Sequence, residues 1–346
     1  MVILAYVFLP YGLEYAAAGA AFGAVPGSIT GLIVLSFFYR RYKHLWQKGE
    51  TKAIAAGPII KRLLILALPV SCANILVPVT SSIDMLLVPN RLVESGFAIE
   101  EATTLFGYLA GMAQPLLMMA TIPTASLAAS LVPAISEAYT LQDREGIAKK
   151  ASTAMKLCCL ITVPAAVGMS ALAEPISLLL YGTSKASSAI MHSGPAIWFL
   201  GMQQITTGVL QGMGKINIPM LHMLAGIVVK IGAVWFLTDA ANNIAGAAWA
   251  TNINFGLTAI LNILVLRHLG IYFQWKDILK IIAGSLVMGA AAITAHGVFI
   301  TSLSKACAAL GAMTIAVMVY TLALFILGLL TKAELKQLPL IKKFVK

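Results

Sequence analysis

Nine apolar segments, each about as long as a membrane-spanning helix, constrain the fold of this chain more than any other feature. Crossing a bilayer takes roughly 20 mostly apolar residues in a helix. Of the 346 residues, 60% are hydrophobic and 11% are charged, whereas a soluble domain is about half apolar and about a quarter charged. The sequence therefore predicts an all-α polytopic membrane protein with about nine transmembrane helices. The segments cover residues 13–39, 63–89, 105–135, 151–181, 188–212, 216–238, 244–266, 278–300 and 306–330.

The basic residues lie mainly in loops on one side of these segments. If the loop at residues 40–62 is cytoplasmic, 20 of the 24 lysines and arginines fall on the cytoplasmic side, as the positive-inside rule requires. The net charge of +11 then indicates membrane orientation and not nucleic-acid binding. We expect a multi-pass protein of the cell membrane with a cytoplasmic C-terminus.

The sequence contains no pattern typical of an enzyme or a metal site. The four cysteines lie in or beside apolar segments, and the five histidines are scattered without ligand spacing. A nucleotide-binding loop, a Ser/His/Asp arrangement and paired carboxylates are all absent from the sequence. We predict no cofactor, no metal and no enzymatic activity.

The segment KRLLILALPVSCANILVPVTSSIDMLLVPNR at residues 61–91 differs from a plain membrane anchor. Three prolines interrupt it, and it carries Asn74 and Asp84. Proline frees a backbone carbonyl, and a charge within a span is costly unless it faces protein or water. These features favour a helix that lines a polar cavity in a transporter.

A second embedded charge lies at a similar depth. With about 1.5 Å of rise per residue, Lys230 lies roughly 12 Å and Asp84 roughly 9 Å below the outer surface. We predict that both face one cavity, where they alternate between a paired and a hydrated state. A static buried pair, or a lysine that reaches back to the interface, is the structural alternative.

The segment at residues 188–212 contains uncharged polar side chains on one helix face. Gln204, Thr207 and Gln211 share this face by the three-and-four spacing rule. Amides and hydroxyls suit a sugar, a diphosphate or water, although hydrogen bonds between helices explain them equally well. Gln114 is a further cavity candidate. Glu174 is either an interfacial residue or, together with Asp84, a coupling site.

Four glycines in the first segment are spaced four residues apart: Gly19, Gly23, Gly27 and Gly31. This spacing lets another helix backbone approach closely. We interpret the glycines as a packing surface, either static or between lobes that move.

Four stretches together resemble a known group of transporters. They are ILALPVSCANILVPVTSSID at 65–84, GMAQPLLMMATIPTA at 111–125, SLAASLVPAISEA at 126–138 and GVLQGMGKINIPM at 208–220. In combination they resemble the stage V sporulation protein B group of polysaccharide transporters. That group belongs to the MOP superfamily, with the lipid II flippases, the O-antigen flippases and the multidrug and toxin extrusion (MATE) transporters.

The resemblance implies two six-helix lobes and two extra helices, of which this chain carries a part. Residues 1–12 are then the remnant of a preceding span, and residues 13–58 are the last helix of the first lobe with a basic linker. Residues 59–270 form the second lobe, and residues 271–346 form the extra pair with a basic tail. Most of the first lobe is expected to be missing, so a separately encoded first lobe is a candidate partner.

The function implied by the resemblance is a flippase. It would move a lipid-linked oligosaccharide or peptidoglycan precursor through the bilayer by alternating access. Two alternatives stay open: a cation-coupled multidrug exporter of the same fold, and a membrane scaffold remnant that no longer transports.

Overall fold

The computed structural model describes residues 2–42, 56–273 and 275–329. The chain forms two compact units, Met1–Leu63 and Leu64–Lys346. The helices are α1 Val2–Phe8, α2 Leu13–Phe22, α3 Ala24–Tyr42, α4 Ala56–Glu94, α5 Ile99–Gly107, α6 Gln114–Thr140, α7 Arg144–Ala171, α8 Ala173–Tyr181, α9 Ser187–Gly212, α10 Asn217–Leu237, α11 Asn243–His268, α12 Trp275–Phe299 and α13 Lys305–Ile326.

Seven of the nine predicted segments correspond to helices that are long and apolar enough to cross a membrane, within the residues described. The predicted all-α membrane fold is confirmed, while the count of nine stays a prediction. The other two segments lie in α4 and α9, which are 39 and 26 residues long. The structure also divides some segments. Residues 151–181 form α7 and α8, separated at Leu172, and a π-helical turn at Tyr108–Ala113 joins α5 to α6.

In the four-glycine series of the first unit, Gly19 packs closely against described atoms. A Cβ atom at Gly19 would lie 2.7 Å from Phe8 Cδ2 and 2.9 Å from the carbonyl oxygen of Leu4, so α2 needs glycine where it meets α1. A Cβ atom at Gly27 or Gly31 would meet no described atom within 4 Å. Among these three glycines, close packing is therefore found at Gly19.

Helix α9 lies at the centre of the second unit, where it packs against α6, α7 and α11. Most of its residues are buried. A helix enclosed by protein can carry more polar side chains than one facing lipid, because neighbouring helices satisfy their hydrogen bonds. This position accounts for the polar composition of α9.

Glycines allow α9 to approach its neighbours closely. A Cβ atom at Gly201 would lie 2.7 Å from Thr162 Cγ2 of α7, and one at Gly208 would lie 2.9 Å from the carbonyl oxygen of Ala128 in α6. Gly194, Gly201 and Gly208 are seven residues apart. This second glycine series, in α9, was not predicted from the sequence, and the role of the glycines four apart in the first segment stays a prediction.

The remaining helices cover this centre. Helix α10 packs on α11, and the antiparallel neighbours α12 and α13 pack on each other and on α7. At the end of α4, Arg91 Nε donates a hydrogen bond to the carbonyl oxygen of Trp235 at 2.9 Å, and its guanidinium carbon lies 4.8 Å from the Trp235 ring centroid. This contact fixes α4 beside α10, two helical turns beyond Asp84.

Candidate functional site

Asp84 and Lys230 form a buried ion pair between α4 and α10. Lys230 Nζ lies 2.6 Å from Asp84 Oδ2, and the two side chains are 2% and 11% exposed respectively. Neither charge is stable alone in an apolar interior, because the lost hydration must be replaced by a partner. The structure thus brings together the two embedded charges that the sequence placed at similar depth.

One oxygen of this carboxylate lacks a hydrogen-bond partner among the described residues. Asp84 Oδ1 is buried and unpartnered. Asp84 also borders a cavity of about 20 Å³ that is lined by Thr80, Gln114 and Thr251. A space above roughly 10–15 Å³ with polar walls can hold one water molecule. The cavity beside the ion pair therefore has room for one water molecule.

The uncharged polar face of α9 borders a second and larger cavity. Its volume is about 260 Å³, and its polar lining comes from Gln203, Gln204, Thr207 and Gln211. Gln204 Oε1 accepts a hydrogen bond from Thr124 Oγ1 of α6 at 2.7 Å. Gln203 Oε1 is buried without a partner in the described structure. The wall of this cavity thus carries amide and hydroxyl side chains, which are the types that hydrogen-bond a polar ligand.

Three apolar side chains line both cavities: Met118, Met223 and Phe255. Because these residues are shared, the ion pair and the glutamine face occupy neighbouring spaces separated by an apolar wall. The polar groups of α4, α9 and α10 therefore do not all line a single compartment. Methionine is unbranched and flexible, so this wall is the part of the site most easily rearranged.

A hydrogen-bond network beside the glutamine-lined cavity connects α11 to α9 and α10. Asn262 Nδ2 donates to Thr206 Oγ1 at 3.1 Å and to Thr207 Oγ1 at 3.2 Å. Asn262 Oδ1 lies 2.7 Å from His222 Nδ1. Because the amide nitrogen of Asn262 donates to the two threonines, its Oδ1 faces His222 as an acceptor. The proton of this bond therefore lies on His222 Nδ1.

This network was not predicted from the sequence, although a signal for it exists. Thr251, Asn254, Thr258 and Asn262 are three or four residues apart and so share one face of α11. A Cβ atom at Gly226 would overlap the side chains of Asn254 and Thr258. Helix α10 therefore needs glycine where it crosses this polar face.

Two predicted site residues stand apart from these cavities. Glu174 is exposed in the first turn of α8 and borders a different cavity, together with His192 and His296. It does not lie with Asp84 in the described site. Asn74 belongs to α4, but its side chain is outside the described residues. Within the described residues, no group of three or more His, Cys, Asp or Glu side chains has the arrangement of a metal site.

An apolar groove lies between α6, α7, α12 and α13. It measures about 450 Å³, and its walls include Pro164, Gly168, Met288, Val317 and Leu116, from α7, α12, α13 and α6. Such a groove accommodates hydrocarbon, because it offers few polar groups that would need hydration.

Comparison with known proteins gives the family context. The MatE family profile matches residues 109–236. In Bacillus subtilis, the uncharacterized membrane protein YabM is 28% identical over 346 residues, covering 96% of this chain and 64% of the relative. Stage V sporulation protein B is 27% identical over 343 residues, covering 98% and 66%. This chain thus spans about two thirds of the length of these curated relatives.

Among solved structures, the lipid II flippase MurJ in an inward closed conformation superposes with a TM-score of 0.67 at 17% identity. The superposition covers 94% of this chain and 64% of MurJ. At this identity the likeness establishes the fold. The chain therefore has the fold seen in MurJ, and stage V sporulation protein B and the lipid II flippase MurJ are among its homologues.

Proposed function

We propose that this chain forms the second lobe of a flippase for a lipid-linked glycan, such as a peptidoglycan precursor. The single observation that carries the proposal is the glutamine-lined cavity in a helix bundle of the MOP fold. Gln204, Thr207 and Gln211 offer amides and a hydroxyl to one 260 Å³ space. Sugar hydroxyls pair well with such groups, and no charge needs to be buried to bind them.

Support for a lipid-linked substrate comes from the apolar groove. A flippase of this kind carries the polar head through the protein while the lipid chain stays in an apolar environment. The groove between α7, α12 and α13 offers that environment in the same unit as the polar cavity. The proposed alternating access exposes the polar cavity to each side in turn.

In this proposal the Asp84–Lys230 pair is the conformational switch. The paired state joins α4 to α10. Hydration of both charges would release the two helices, and the small cavity lined by Asp84 and Lys230 provides the first place for water to bind. The proposal includes coupling of transport to protonation of Asp84.

The test is a leaflet-accessibility assay in proteoliposomes that contain a fluorescent lipid-linked disaccharide. We expect the wild-type chain, reconstituted with any first-lobe protein that its genome supplies, to move the lipid between leaflets. Lys230→Met should abolish the movement. Normal transport by Lys230→Met would refute the switch, and a wild-type preparation that moves no lipid-linked sugar would refute the flippase.

A drug exporter is the second candidate, because the MatE profile matches residues 109–236. Efflux of a hydrophobic cation such as ethidium, driven by a sodium or proton gradient, separates the two. Gradient-driven ethidium efflux without glycan-lipid movement would favour the exporter.

A further inference from the structure

A basic cavity lies where three helices of the second unit end. Its volume is about 780 Å³. It is bordered by the turns that follow α6, α9 and α11. No residue of the two internal cavities lines it. It is therefore distinct from the site described above.

The three turns share a rigid backbone geometry. Each has one residue in the left-handed region, Gln142 at φ 57°, Gly214 at φ 73° and Gly270 at φ 84°. In each turn the next amide folds back onto the helix. The bonds run from Asp143 N to Ala138 O at 2.9 Å, from Lys215 N to Leu210 O at 2.8 Å, and from Ile271 N to Leu266 O at 3.0 Å. These bonds complete the helix ends and hold the rim of the cavity in place.

Cationic and imidazole side chains supply the polar character of the cavity. Arg144, Lys215 and His268 each come from a different turn or helix end, and the lining includes no carboxylate. In the described part of the chain, none of these three side chains forms an ion pair. The neighbouring Asp143 does not line the cavity. Its Oδ1 accepts a hydrogen bond from Gly146 N at 2.8 Å, at the start of α7.

Helix ends offer one structural explanation for these three basic residues. The C-terminus of a helix carries a partial negative charge that favours a nearby cation. That explanation accounts for one basic residue beside each helix. It does not require the three to border a common cavity that is large enough for a ligand.

We propose that this cavity binds a phosphate group. Arginine can hold two phosphate oxygens at once, and lysine adds a mobile point charge. The volume admits a diphosphate or a phospholipid headgroup. The phosphate belongs either to a lipid in the surrounding leaflet or to a soluble phosphate compound. The proposal is independent of the flippase proposal, because it uses none of the same residues.

The experiment compares two charge-matched double variants of the full chain in nanodiscs. R144Q/K215Q removes two cations from the cavity. K149Q/K276Q removes two exposed cations from α7 and α12 that do not line it. Inorganic pyrophosphate is titrated calorimetrically in phosphatidylcholine nanodiscs, and phosphatidylglycerol retention is counted by native mass spectrometry.

We expect the cavity variant to weaken binding of at least one probe by roughly tenfold or more, while the control variant stays near wild type. Loss of pyrophosphate binding identifies a soluble phosphate as the ligand, and loss of phosphatidylglycerol retention identifies a lipid. Lys215→Gln alone should show a smaller effect in the same direction, which covers the case where the double variant fails to fold.

Three results would overturn the proposal. The first is equal weakening in both double variants, which means general electrostatic attraction. The second is binding of neither probe by the wild type. The third is a lower melting temperature in R144Q/K215Q with unchanged binding of both probes, which means that the cations only stabilise helix ends.

Discussion

Lys230 and Asp84 illustrate how two charges are retained inside an apolar bundle. Lys230 is 1% exposed and is among the largest fully buried side chains described. Its partner on α4 lies 2.6 Å away. Desolvation of two charges often costs as much as their attraction returns, so a buried pair is weak evidence for stability. Removing only one partner is much more damaging than removing both.

Lys230→Met should therefore lower stability by about 3–5 kcal/mol, because Asp84 is left buried without a cation. The double variant D84N/K230M should recover most of that loss, since no uncompensated charge remains. Melting temperatures in detergent measure both effects. A single variant as stable as wild type, or a double variant no better than the single, would contradict the buried-pair account.

Thr206 and Thr207 provide a matched test of the glutamine-lined cavity. Both accept a hydrogen bond from Asn262 Nδ2, but Thr207 alone lines the cavity. Thr207→Val should reduce the rate of glycan-lipid movement about fivefold or more. A lost hydrogen bond costs roughly 1 kcal/mol, and that free energy corresponds to such a factor. Thr206→Val should leave transport near wild type. Equal rates for the two variants in the leaflet assay would exclude ligand contact at Thr207.

At the scale of elements, α9 organises the second unit. It packs against three helices at once, and small residues let it do so. Transmembrane helices gain little from apolar burial against one another, so close backbone contact and polar bonds determine their association. Gly208 allows close backbone contact with α6, and Gln204 accepts a hydrogen bond from α6.

Gly208→Ala should destabilise the protein by ~1–3 kcal/mol, as overpacking does, because the new methyl group would lie 2.9 Å from the carbonyl oxygen of Ala128. Gly232→Ala in α10 is the control. A Cβ atom there meets no described atom within 4 Å, and alanine favours a helix over glycine by about 1 kcal/mol. Thermal unfolding should show opposite signs for the two substitutions. A stabilising Gly208→Ala would show that α6 and α9 are not in close contact.

For the whole molecule, the native cysteines test the orientation predicted from the charge distribution. Cys307 is exposed near the start of α13, whereas Cys158 and Cys159 are fully buried. In a Cys72→Ser background, a membrane-impermeant maleimide should label intact cells at Cys307. Labelling should disappear in Cys307→Ser. Labelling of Cys307 only after permeabilisation would place it on the cytoplasmic side and contradict the predicted topology.

Much of the architecture was predictable, because the bilayer imposes a length and a composition on every helix. The charges at Asp84 and Lys230 were also visible as exceptions in apolar segments, and their depth followed from the helical rise. The network around Asn262 was overlooked, although the spacing along α11 indicates it. The apolar wall of Met118, Met223 and Phe255 gave no signal, because methionine and phenylalanine are ordinary in any membrane helix.

The sequence by itself determined that this chain crosses a membrane several times as helices, and that a few polar groups are embedded among apolar ones. Periodicity and hydropathy are local properties that each segment carries alone. Only the tertiary structure decided which polar groups meet. Asp84 and Lys230 are 146 positions apart, and the glutamine face is enclosed by side chains from four helices. Such contacts depend on how helices rotate and cross, and that is fixed by packing among all of them.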